Sequence, residues 1–133
     1  MSNKCFTLPL SPYLMESDFS KIYLPFLQKY KEWIHDIYVT IRCPPFAQDA
    51  MGIDMEPENH ENLINNALHL QQETEIPVCA TFNNIHVPPS YRNYKIFVHN
   101  FASLYQRGIR LAIIPHMLWL DWGLMQEFWQ LSC

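Results

Sequence analysis

The sequence predicts an α/β fold made of parallel β-α-β units, and three observations carry that prediction. Four short β-branched or apolar runs alternate with longer stretches in which apolar residues recur every three or four positions. The alternation repeats at about 35 residues, the length of a strand with its crossover helix. The joins are alike: "IHDIYVTIR", "TEIPVCATF" and "RGIRLAIIP" each pass from helix end to strand within a residue or two. The strand runs are also nearly continuous in apolar residues, as suits a sheet covered by helices.

Taken in order, "CFTLPLSPY" (residues 5–13) alternates apolar and small residues and ends on prolines, a short first strand. "SDFSKIYLPFLQKYKEWIHD" follows as a helix capped by Ser17 or Asp18, with Ile22, Phe26, Leu27, Tyr30 and Ile34 at helical spacing. Pro25 belongs either to the first turn of a helix that starts late or to a kink in one that starts early. "IYVTIRC" (residues 37–43) is the second strand, stopped by Pro44-Pro45. After a loop over residues 46–60, residues 58–75 read as a helix through Leu63, Ile64, Ala67, Leu68 and Leu70, with Asn59 as its cap. Glu56, Glu58 and Glu61 suit the positive end of that helix. "IPVCATFNN" is the third strand. The third helix, "SYRNYKIFVHNFASLYQRG", carries Ile96, Phe97, Phe101 and Leu104 on one side and Gly108 as C-cap. "IRLAIIPH" is the fourth strand, and "MLWLDWGLMQEFWQLSC" opens a fourth helix. The strands share no repeat signature, which argues against a solenoid.

The 133 residues suffice for one α/β domain, residues 1–133, and hardly for two. Hydrophobic residues at 49% and charged residues at 17% describe an ordered globular chain. A net charge of -4 with scattered Lys and Arg gives no electrostatic case for nucleic acid. No apolar run approaches the roughly 20 residues that cross a bilayer, and the N-terminus lacks the pattern of a secretory signal. The expected setting is therefore cytoplasmic, away from membranes. Cys5, Cys43, Cys79 and Cys133 stand far apart, so reduced thiols are expected, two of them buried in strands.

Ligands of parallel α/β folds bind outside the carboxyl ends of the strands. Those ends carry Ser11, then Arg42 and Cys43, then Asn83 and Asn84, then His116. Arg42 can hold an anion through its planar fork, or pair with Asp49 or Asp54. Asn83 can aim its amide into the mouth of the sheet, or close an Asx-turn. His116 can act as general base or ligand, or serve as hydrogen-bonded structure. Cys43 is a nucleophile only where something depresses its pKa. No metal site is expected: His60 has no second histidine at i+4 and there is no HExxH. GxGxxG, GxxxxGK[ST] and GxSxG are likewise missing, and three glycines cannot build a phosphate-cradling loop.

"HDIYVTIRCPPFAQDAMG", "EIPVCATFNN" with Thr81 and Asn83, and "YQRGIRLAIIPH" together resemble the N-terminal half of the collagenase-like peptidase family of unassigned catalytic type. The resemblance covers roughly residues 20–128. It implies half of a TIM-type (β/α)8 barrel with about four strands, truncated before a fifth, since a whole barrel needs about 250 residues. Such proteins include peptidases and factors for oxygen-independent hydroxylation of RNA bases or quinone precursors. A small anionic, peptide or nucleobase-bearing ligand is then implied at Arg42, Cys43, Asn83 and His116. Some relatives hold an iron–sulfur cluster, but the four cysteines here do not reproduce its ligand set, so the cofactor stays unknown. Half a barrel leaves two open sheet edges. A fragment, a half-barrel that closes as a homodimer and a small open α/β domain all satisfy that picture. A non-catalytic interaction module is the alternative to an enzyme. It would assemble through Trp119, Trp122, Phe128 and Trp129, unless these pack on the chain's own sheet.

Overall fold

Parallel pairing in strict sequence order organises the chain. The computed structural model describes residues 4–10, 19–46, 57–82 and 84–123. Within them strands β1 (Phe6–Pro9), β2 (Ile34–Thr40), β3 (Val78–Thr81) and β4 (Leu111–Ile113) form one sheet of order β1-β2-β3-β4. Every neighbouring pair is parallel. Helices α1 (Phe19–Tyr30), α2 (Pro57–Thr74) and α3 (Tyr91–Arg107) supply the crossovers, and a short α4 (Leu118–Asp121) follows β4. Consecutive strands always step the same way, and α1, α2 and α3 all contribute to one core on one face, as right-handed crossovers would place them.

The register divides the sheet cleanly. Leu8, Ile37, Val78 and the neighbouring Val39, Ala80 and Ala112 share one face. All belong to or pack on the single core cluster with Leu27 of α1, Leu63, Ile64, Ala67 and Leu70 of α2, and Phe97, Phe101 and Leu104 of α3. The other face carries Thr7, Asp36, Tyr38, Thr40, Cys79, Thr81, Leu111 and Ile113, none of which joins that cluster. The mixed α/β class and the four parallel strands therefore agree with the sequence reading.

β2 lies three residues earlier than the sequence suggests. α1 stops at Tyr30, a 3₁₀ turn covers Lys31–Trp33, and Ile34 opens the strand instead of ending the helix. The register also shifts between Phe6 and Thr7, so that His35 is an extra residue on β2. This bulge lets Ile34 and Ile37 both face the core while Asp36 faces away. Pro25 sits inside α1, where it forfeits one intrahelical hydrogen bond. Helix α2 starts at Pro57, which leaves Asn59 within the first turn rather than at the cap. Proline is well placed there, because a first-turn N–H has no intrahelical partner anyway. In α3 the Ser90 side chain accepts from Asn93 N, and Gly108 takes φ 114 as C-cap, a left-handed conformation that glycine adopts without strain.

One side chain fastens three elements together. Gln71 near the end of α2 accepts from Val78 N of β3 at 2.8 Å and donates to the Gly108 carbonyl at 2.9 Å. Replacing Gln71 with Ala removes both bonds and leaves the buried Val78 N–H without a partner. The expected loss is about 2 kcal/mol, seen as a lower urea midpoint with an unchanged slope.

Candidate functional site

At the carboxyl ends of the strands the structure spends most of its polar groups on its own loops. Arg42 follows β2 with an exposed side chain, and its backbone N–H donates to His60 Nε2 at 2.9 Å. His60 thus acts as a strut from the first turns of α2 to the end of β2, a role the sequence reading missed because nothing in "EPENHENL" marks it. Asp49 and Asp54, the ion-pair partners considered for Arg42, lie outside the described residues, as do Ser11 and Asn83.

Asn84 makes the turn that was considered for Asn83. Its side chain accepts from His86 N at 3.0 Å and donates to the Pro45 carbonyl at 3.2 Å. His116 donates from Nε2 to the Val87 carbonyl and lies edge-on to Trp119, 5.6 Å between centroids. Both residues join the β3–α3 loop to its neighbours. Cys43 is buried beyond the end of β2, not within a strand, and desolvation pushes its thiol up to about 11. Burial, with the Asp36 charge added, pushes Cys79 in β3 up to about 11 as well. Neither is a thiolate nucleophile near neutral pH.

Behind these loops Phe46, Phe82, Phe97 and Trp119 fill the carboxyl end with edge-on and tilted rings. Their centroids lie 4.8 Å (Phe82–Phe97), 5.3 Å (Phe97–Trp119) and 5.6 Å (Phe46–Trp119) apart. Trp119 is therefore core and not sticky surface, whereas Trp122 stays partly open, and Phe128 and Trp129 lie outside the described residues. Among the described residues no group of three His, Cys, Asp or Glu could hold a metal ion. Nor is any described helix long and apolar enough to cross a membrane.

An apolar hollow lies elsewhere. A groove of about 380 Å³ runs along the outer edge of β1 on the helix face, lined by Phe6, Leu8, Phe26, Tyr30, Trp33 and Ile34. Every lining residue is apolar or aromatic. Phe6 remains 55% exposed, Phe26 50% and Trp33 48%. The helical wall of the groove follows from two adjacent stripes on α1. Tyr23, Leu24 and Leu27 pack on the core, while Ile22, Phe26 and Tyr30 turn outward. The sequence shows the second stripe plainly but cannot say that it faces away from the sheet's own core. A smaller hollow of about 170 Å³ at the amino end carries Lys4, Lys31, Glu32 and Glu75, mixed charges that select no ligand.

Comparison with known proteins finds no matching family model, no matching curated protein and no matching solved structure.

Two measurements check this geometry. Iodoacetamide at about pH 8 is expected to alkylate Cys5 quickly and Cys43 and Cys79 only after unfolding, as mapped by peptide mass; fast reaction at Cys43 would restore it as a nucleophile. Desolvation lowers the His60 pKa from its ordinary 6.5, helped by the Arg42 and Arg107 charges and opposed by the Thr40 backbone and Glu61. A histidine whose folded pKa is depressed binds fewer protons folded than unfolded. Its contribution to stability is full above the unfolded pKa and falls away as pH drops below it. Between about pH 7.5 and about pH 5 the melting temperature should fall more for wild type than for His60→Gln. Parallel profiles would mean that the ring is protonated as easily in the folded chain as in the unfolded one.

Proposed function

We propose that this chain is a non-catalytic assembly module, half of a (β/α)8-type barrel that works by docking another protein against its open β1 edge. The observation that carries the reading is the apolar groove beside α1. A hollow of about 380 Å³ lined by Phe6, Leu8, Phe26, Tyr30, Trp33 and Ile34 offers several partly exposed aromatic side chains in one place. Clustered exposed apolar surface of this kind marks interaction sites, and aromatic anchors in a pocket supply most of the energy of an interface. β1 adds a row of backbone groups with no strand beyond it among the described residues.

The half-barrel part of the reading rests on the one-way strand order with all three crossover helices on one face. That arrangement is what a barrel repeats until it closes, whereas an open doubly wound sheet reverses direction and covers both faces. The catalytic reading is the weaker one, because Cys43 is a buried thiol of raised pKa and His116 is engaged by Val87.

A second reading is favoured by Arg42, whose exposed guanidinium stands at the mouth of the sheet. There it would meet a small anionic, peptide or nucleobase-bearing ligand, as the likeness to the collagenase-like peptidase family implies. One experiment separates the two. A photo-crosslinking amino acid is placed at Phe26, at Trp33 or at Arg42 in cells producing the chain, and adducts are identified by peptide mass spectrometry. The assembly reading expects discrete protein adducts from positions 26 and 33 and none from 42. Adducts from 42 alone would replace it with the strand-mouth reading.

A further inference from the structure

The groove at β1 has a counterpart at the opposite end of the sheet. There Ile113 is 46% exposed and Met117 84%, and Leu118, Leu120 and Trp122 are open as well. The two edges are complementary in kind. Among the described residues β1 has no strand on its outer side and β4 none on the other, and the two strands run in the same direction. The β4 edge of one copy can therefore pair in parallel with the β1 edge of another and continue the same order.

The handedness of the crossover decides what else meets at that seam. A segment following a parallel strand turns onto the helix face and lies over the gap between that strand and the next. If the next strand is the β1 of a second copy, the gap on that face is the hollow between β1 and α1. The segment that enters it begins with Met117, Leu118 and Leu120, apolar residues that the chain's own core leaves exposed. Apolar groove and apolar occupant thus lie at opposite edges of one molecule, each placed to meet the other.

On this basis, and resting on the assembly reading above, we propose that the docking partner is a second copy of this chain. Two copies form a closed two-fold ring. Each β1 edge pairs with the partner's β4, and each groove takes up the segment that follows it. The four strands described in each copy make eight, the number at which a barrel interior is just filled by side chains. The face opposite α1, α2 and α3, with Thr7, Asp36, Tyr38, Thr40, Cys79, Thr81, Leu111 and Ile113, becomes that interior. Opposite edges meeting head to tail close into a ring only when the rotation permits. A sheet with all its helices outside supplies that curvature.

The test is the solution mass of the purified chain by light scattering, with wild type compared to Trp33→Glu and Leu118→Glu. Both positions are exposed, so far-UV circular dichroism should be unchanged in both variants. Wild type is expected at twice 15.8 kDa. Each variant should raise the dimer dissociation constant at least about tenfold, because each spoils both seams of the homodimer. Mixing the variants should restore association, since one seam of the mixed dimer then joins an intact groove to an intact β4 edge. A dimer broken by Trp33→Glu but indifferent to Leu118→Glu would overturn the ring in favour of groove-to-groove pairing. Mass that grows with concentration beyond the dimer would overturn closure. A monomer at all concentrations, with crosslinks from Phe26 and Trp33 running to a different protein, would overturn the second copy and keep the assembly reading. A monomer without such crosslinks would overturn both.

Discussion

The handedness of the parallel connection governs this molecule more than any single contact. Parallel strands prefer right-handed crossovers, and with each strand laid down beside the last, α1, α2 and α3 all pack on the same face among the described residues. The sequence accommodates that constraint residue by residue. Positions on the helix side are Leu8, Ile37, Val39, Val78, Ala80 and Ala112, small or branched apolar groups against which three helices pack. Positions on the other side alternate to Thr7, Asp36, Tyr38, Thr40, Cys79 and Thr81. Thr81 is half of that story on its own, since its hydroxyl turns to the Val39 carbonyl at 3.1 Å and stays within the sheet.

The bulge at His35 shows how sensitive the division is. A strand shifted by one residue exchanges its faces. Without the extra residue, Ile34 and Ile37 could not both point at the core. With it, Asp36 turns to the second face, where it accepts from Thr7 Oγ1 at 3.2 Å and meets His35 Nδ1. The Asp36 charge is felt by the Cys79 thiol and adds to the effect of its burial. Polarity on this face is therefore built in at β1, β2 and β3 together, by register and not by composition.

Much of the fold was legible because period speaks for itself. The α3 helix is the clearest case: "SYRNYKIFVHNFASLYQRG" announces its Ile96, Phe97, Phe101 and Leu104 face and its Gly108 stop, and both are found, with Ile96 packed at the margin of the core; the Ser90 cap is seen only in the structure. At β2 the same logic misplaced the strand, because Ile34 falls in helical phase with Tyr30 and only the tight turn at Lys31–Trp33 breaks the phase. The candidate site was less legible. Polar residues after strands read as ligand groups, yet whether Asn84, His116 or His60 serves a ligand or a neighbouring loop depends on backbone atoms far away in sequence. The outward stripe on α1 has the opposite problem. Phe26 and Tyr30 are spaced like core residues, and only packing distinguishes them from Leu27 one position on.

These features together say how copies of such a sheet can and cannot meet. Stacking two second faces directly would press Asp36 against another low-dielectric surface. Its Oδ1 is already buried without a hydrogen-bond partner, and further desolvation of a carboxylate is costly. Apolar surface on that side is confined to the β4 edge, at Leu111 and Ile113. Edge-to-edge contact keeps Asp36 in the lining beside Thr7, whose hydroxyl donates to it, instead of pressing it against a second copy's face. It unites the exposed rings beside α1 with the exposed side chains after β4, and it leaves the mixed face as lining rather than as seam. The hydrophobic driving force sits at the two edges and the polar groups sit between them. This places the seam where burial is favourable and leaves the interior to groups that can hydrogen-bond across it.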